Sequence, residues 1–133
     1  MTTIAQRTVA LQDVPADGRR GGEIRVVLGP KTVGSTSGFM GVATLRPGER
    51  IAEHWHPYSE EFLFVTRGSL VVDLDGEPVE VPAGSGVFVP IGTRHRLRNV
   101  GTDDVQAVFH LCPLAPRPNL GHVDTETADG VPK

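Results

Sequence analysis

A lone cysteine, Cys112, rules out an intramolecular disulfide and any cluster of thiolates around a metal ion. It suits a reducing compartment, so a cytoplasmic protein is expected. An excess of positive charge is also missing, because 13 Lys and Arg stand against 16 Asp and Glu, a formal net charge of −3. Without a run of five or more basic residues there is no electrostatic footprint for nucleic acid. Apolar stretches are short, and none approaches the roughly 18 residues of a membrane-spanning helix. Met1 to Arg7 lack the basic and apolar regions of a secretory signal. Neither nucleic acid nor membrane is expected as a partner.

What the sequence has in quantity is turn residues. Its 133 residues leave room for one domain, and 16 Gly and 11 Pro are spread along them. Residues 1–22 are polar and read as an N-terminal arm with one short strand near Thr8–Leu11. From Glu23 to Cys112 short apolar runs recur: Ile24–Leu28, Phe39–Leu45, Glu61–Val65, Leu70–Leu74, Val79–Val81, Gly86–Val89, His95–Val100 and Val105–Cys112. None has the length of a helix. Pro47-Gly48, Asp75-Gly76, Ala83-Gly84 and Gly101-Thr102-Asp103 supply turns between them. Many short strands at regular spacing predict an all-β sandwich or barrel. Residues 113–133 form a tail in which Pro113, Pro116 and Pro118 offer no N–H to a ladder. It is expected to wrap the surface or a neighbouring subunit.

One constellation carries chemistry. His54 and His56 alternate near the end of a strand, so period-two geometry puts both imidazoles on one face. Glu61 follows across the turn at Pro57, Tyr58 and Ser59, where an adjacent strand can present its carboxylate. His95 follows Pro90 and Gly92, a tight turn that starts a new strand able to close the site. Three neutral imidazoles and a carboxylate suit zinc, iron, manganese, nickel or cobalt, with open positions left for a substrate. A His-x-His pair alone reads more simply as polar residues facing solvent on an edge strand.

Two further patterns reverse that simple reading. Gly48, His54, His56, Glu61 and Gly68 keep the spacing of the first conserved motif of the cupin superfamily, and Gly84, Pro90, Gly92, His95 and Asn99 that of the second. The chain resembles cupins over residues 48–99, with every spacing met. The resemblance implies a single-domain jelly-roll β-barrel, the double-stranded β-helix, over residues 23–112, with one divalent metal ion inside it on His54, His56, Glu61 and His95. The spacing to Gly68 selects Glu61 over Glu60, which should face outward or towards a subunit contact.

Other residues stand near that site in the sequence pattern. If the strand of His110 forms a hairpin with that of His95, even-numbered positions share one face, and His110 enters the cavity as a ligand, proton shuttle or catalytic base; a one-residue slip turns it outward. Met40, Val42, Leu63, Val65 and Leu97 are expected to line an apolar cavity. Phe62 and Phe64 alternate opposite to Glu61 and read as core or interface, and His122 as a surface residue.

The run from His54 to Leu63 and the late segment from Pro113 to Glu126 resemble the small single-cupin cyclases of bacterial aromatic polyketide pathways. That resemblance implies intramolecular aldol closure and dehydration of a poly-β-ketone, with a metal as Lewis acid, zinc favoured over iron, nickel or manganese. A metal-dependent dioxygenase and a non-catalytic small-molecule-binding cupin are the competing readings. A homodimer is expected, since cupins commonly pair through sheet edges.

Overall fold

The computed structural model describes residues 8–133. Ten strands follow one another: β1 (Glu23–Leu28), β2 (Phe39–Leu45), β3 (Arg50–Trp55), β4 (Glu60–Arg67), β5 (Ser69–Leu74), β6 (Glu77–Pro82), β7 (Gly86–Val89), β8 (His95–Arg98), β9 (Val105–Cys112) and β10 (Val123–Asp124). They form two five-stranded sheets, ordered β1-β2-β9-β4-β7 and β10-β3-β8-β5-β6, and every pairing is antiparallel. This is the all-β double-sheet architecture expected of a jelly roll.

Alternation along each strand sends one set of side chains between the sheets. Leu45, Ile51, Val65, Leu70, Val72 and Val105 are at most 2% exposed there, and each fully buried aliphatic side chain contributes roughly 1.5–3 kcal/mol. The hairpin between β5 and β6 turns on Asp75 and Gly76, with φ of 48° and 84°. A two-residue turn of this kind needs positive φ at both positions, which suits an Asp-Gly pair. Gly41 meets a different demand, because a Cβ there would stand 2.3 Å from the Arg25 carbonyl oxygen and 2.5 Å from the Phe109 ring. Its absence lets β1 and Phe109 close over β2.

Asn99, the last residue of the second motif, is buried. Its amide donates to the carbonyls of Leu45 (2.9 Å) and Asp103 (2.8 Å), and its Oδ1 accepts from Gly101 N–H (3.0 Å). This side chain shapes the crossing from β8 in one sheet to β9 in the other.

One expectation fails in the N-terminal arm. No strand forms at Thr8–Leu11; Leu11–Asp13 instead make one turn of 3₁₀ helix, because local bonds from Asp13 N–H to Ala10 O and from Val14 N–H to Leu11 O satisfy the backbone. Val14 alone is buried in this stretch. A four-residue helix, α1 (Pro30–Val33), also interrupts the strands; Pro30 sits at its start, and Gly34 with φ of 69° ends it.

The outer face of the first sheet departs from the usual polar pattern. Met40, His110, Phe62 and Phe88 are successive partners across β2, β9, β4 and β7, and Val42, Val108, Phe64 and Gly86 make the adjacent row. Phe62, Phe64 and Phe88 are 46%, 49% and 44% exposed.

Candidate metal centre

The first sheet supplies one donor and the second sheet three. Glu61 is the second residue of β4, in an inward row with Phe39, Leu111 and Val89. His95 opens β8 and pairs directly with His54 of β3, while His56 lies just beyond the end of β3. Between Ile51 and His54 the β3 ladder shifts by one residue against β8, a bulge that re-aims the strand end into the barrel. Gly92 N–H donates to the His56 carbonyl at 3.0 Å, tying the turn before His95 to the first motif.

One potential ligand atom from each of His54, His56, Glu61 and His95 lies within 4.8 Å of the others, and all four residues are buried. Glu61 Oε1 stands 3.0 Å from His56 Nε2 and 3.2 Å from His95 Nε2. Each imidazole is oriented from behind. Nδ1–H of His54 donates to Ala52 O (2.7 Å), that of His56 to Gly121 O (2.9 Å) and that of His95 to Thr93 O (3.0 Å). A carbonyl only accepts, so Nδ1 carries the proton in all three rings and Nε2 is presented to the centre.

The electrostatics agree with a cation site. Burial, with His95 and His56 close by, pushes the His54 pKa down to about 3 and keeps that ring neutral. Burial alone would raise the Glu61 pKa, but the His56 and His95 rings set against it outweigh that and hold the carboxyl well below the usual range. Burial likewise opposes the charged form of His95, and the adjacent Glu61 carboxylate overcomes it, raising that pKa. His95 Nε2 is nevertheless a buried nitrogen with no well-aligned hydrogen-bond partner, its contact to Glu61 being one of distance only. An orphaned nitrogen, two other Nε2 atoms turned the same way and an ionised carboxylate fit a divalent metal ion.

Two sequence expectations change, those for His110 and for Met40 and Val42. His110 does not reach this centre, because β8 and β9 lie in different sheets and form no hairpin; it pairs with Met40 and Phe62 on the outer face. Met40 and Val42 share that outer face, whereas Leu63, Val65 and Leu97 do point inward and are buried. The tail wraps its own barrel, with β10 paired to β3. Glu60 is exposed, opposite to Glu61, as expected. The orienting carbonyls of Ala52, Thr93 and Gly121 escaped sequence reasoning, since a backbone oxygen has no residue-type signature.

Comparison with known proteins extends this picture. The chain is 58% identical to Protein SchB of Streptomyces halstedii, over 97% of this chain and 94% of that protein. It is 56% identical to Polyketide synthase CurC of Streptomyces cyaneus, over 95% of this chain and 82% of that one. Tetracenomycin polyketide synthase protein TcmJ of Streptomyces glaucescens is 46% identical over 94% and 84%. Among solved structures, a conserved protein with a double-stranded β-helix domain from Klebsiella pneumoniae subsp. pneumoniae superposes with a TM-score of 0.70 at 22% identity, covering 90% of this chain and 92% of that one, a likeness of fold. The cupin domain model matches residues 41–111, the span that carries all four donors, and with these relatives it shows that the chain belongs to the cupin family.

Proposed function

We propose that the protein is a metal-dependent cyclase that closes a ring in a poly-β-ketone intermediate during synthesis of an aromatic polyketide antibiotic or pigment. The observation that carries this reading is an intact four-donor centre in a chain 46–58% identical, almost end to end, to proteins of which two are named for polyketide synthases. In the reaction an enolate carbon adds to a ketone carbon within the same chain, one carbon–carbon bond forms, and water is then lost. A divalent ion on His54, His56, Glu61 and His95 would supply Lewis-acid polarisation of a ketone oxygen. Zinc suits these donors and a reaction without redox change; iron, nickel and manganese suit the same donors.

The chain's own part is orientation. Phe39, Leu111 and Val89 share the Glu61 row, so apolar side chains flank the centre and favour one folding of a flexible substrate over others. His110, on the outer face, is not positioned to take the substrate proton.

The outer rows of the first sheet support a homodimer. Across β2, β9, β4 and β7 these rows carry no acidic side chain, Lys or Arg, with Arg25 of β1 at their margin, and an apolar face of this kind matches a second copy of itself about a two-fold axis. Cys112 is a free thiol, which suits a cytoplasmic location. Among the described residues no helix is long and apolar enough to cross a membrane. In this reading the partners are a small-molecule substrate and a second copy, with neither nucleic acid nor membrane involved.

The test is to generate a poly-β-ketone in situ and compare products with wild type and with a His54→Ala/His95→Ala variant. One cyclised product enriched by wild type alone supports the assignment, and identical product mixtures refute it. Oxygen consumption by the iron-loaded protein would favour a dioxygenase, and tight ligand binding without turnover a non-catalytic cupin.

A further inference from the structure

His54 and His95 are held by carbonyls two residues back in their own chain segments, at Ala52 and Thr93, but His56 depends on Gly121, far along the C-terminal tail. The tail is fastened on both sides of that contact. Before it, the Ser59 hydroxyl donates to the Pro113 carbonyl. After it, Val123 and Asp124 pair with Trp55 and His54, and Thr125 N–H donates to Glu53 O at 3.0 Å. Arg20 Nε donates to Asp124 at 2.7 Å. Arg96 grips Glu126 through two bonds of 2.7 Å each, and Glu126 also accepts from Glu53 N–H at 2.7 Å. Glu126 is buried. Arg96, between the inward His95 and Leu97 of β8, holds Glu126 on the outer side of the histidine sheet, while Asp124 pairs with His54 along its edge.

We propose that the C-terminal tail is a working part of the metal centre: through the Gly121 carbonyl it positions His56, so that docking of the tail and binding of the metal strengthen one another. The inference rests on the metal-binding reading of the four donors. An imidazole whose Nδ1–H is engaged holds one ring orientation and one tautomer, with the Nε2 lone pair aimed at the ion; a released ring samples others. Outer partners of metal-bound histidines typically carry a 10–100-fold effect on affinity. Coupling of two equilibria is reciprocal, so zinc must hold the tail in place by the same factor by which the tail holds zinc. Asp124, Glu126, Arg20 and Arg96 are thus positioning residues that never touch the metal.

The experiment uses full-length protein and zinc alone. Zinc affinity is measured by competition with a chromophoric chelator for wild type, for D124A/E126A and for D129A, an exposed tail control. In parallel, exchange of the Thr125 amide hydrogen is followed in wild type with and without zinc, an arm that requires no variant to fold. The expected results are zinc binding weakened roughly 10-fold or more in D124A/E126A, unchanged affinity in D129A, and slower Thr125 exchange in zinc-loaded wild type. Long-range 1H–15N spectra of the zinc-free proteins should show the His56 Nδ1–H protected from solvent exchange in wild type and exchanging rapidly in D124A/E126A. Equal zinc affinity in wild type and D124A/E126A, with Thr125 exchange indifferent to zinc, would overturn the tail inference and leave the metal site standing. Failure of wild type to bind zinc would bring down both.

Discussion

His54 and His95 face one another as direct partners across the β3–β8 ladder, with ring centroids 4.4 Å apart. Two rings this close, with each Nδ1 engaged behind, leave both Nε2 atoms converging on a shared point. A His54→Ala/His95→Ala variant should lose the bound metal that wild-type protein purified without chelator retains, read as metal per chain by elemental analysis. Equal metal content in both proteins would place the ion elsewhere.

Asn99 should matter for stability and little for metal. Replacement by alanine strands the buried carbonyls of Leu45 and Asp103 and the Gly101 N–H, at a cost of about 1–3 kcal/mol. A urea unfolding midpoint unchanged in Asn99→Ala would show that water replaces these bonds freely.

The acid limb of stability should be set in part by the tail anchor. Hydrogen bonding by Arg96 brings the Glu126 pKa from 4.5 down to about 2 against the opposing effect of burial. A folded-state pKa below the unfolded one means the contribution is complete above about pH 4.5 and is lost as pH falls towards 2. Asp73, lowered mainly by Arg98, acts in the same direction. Glu126→Gln should therefore be less stable than wild type near pH 6, with the gap narrowing towards pH 3, as followed by thermal melts. A gap independent of pH would contradict the assignment.

The outer aromatic rows give an oligomer test. Phe62 and Phe88 pack against one another at a tilt of 44°, with centroids 5.2 Å apart, on an exposed face. A Phe64→Lys/Phe88→Lys variant should halve the mass seen by light scattering while keeping its fold. Wild type already running as a monomer would rule the interface out.

His110→Ala should keep cyclisation activity within about two-fold, since its ring lies 6.0 Å from Phe62 on the side away from the metal centre. A loss approaching the 100-fold contribution typical of a general base would return His110 to the chemistry.

Much of the centre was legible because its determinants are local in sequence. Period-two alternation paired His54 with His56, and motif spacing separated Glu61 from Glu60. The place of His110 differs from the expected one for a definite physical reason. Residues 99–104 look like a hairpin turn, yet Asn99 bonds both Leu45 and Asp103 and carries the chain from one sheet to the other. Parity counted through that crossing has no meaning, whereas parity counted from Glu61 along β4 correctly put Leu63 and Val65 inside. The exposed face of Phe62, Phe64 and Phe88 was half legible: alternation set them opposite Glu61 but cannot say whether that side is covered. The tail's bond to His56 had no sequence signal, because its acceptor is a main-chain oxygen.

The centre is also a seam. Glu61 belongs to one sheet and the histidines to the other, so the distances among the donors gauge how the two sheets rest against each other. Interiors this closely packed pass small displacements along rather than absorbing them. A change of volume at Leu63 or Leu97, buried between the sheets two residues along from Glu61 and His95, would therefore be read out in the spacing of the donors.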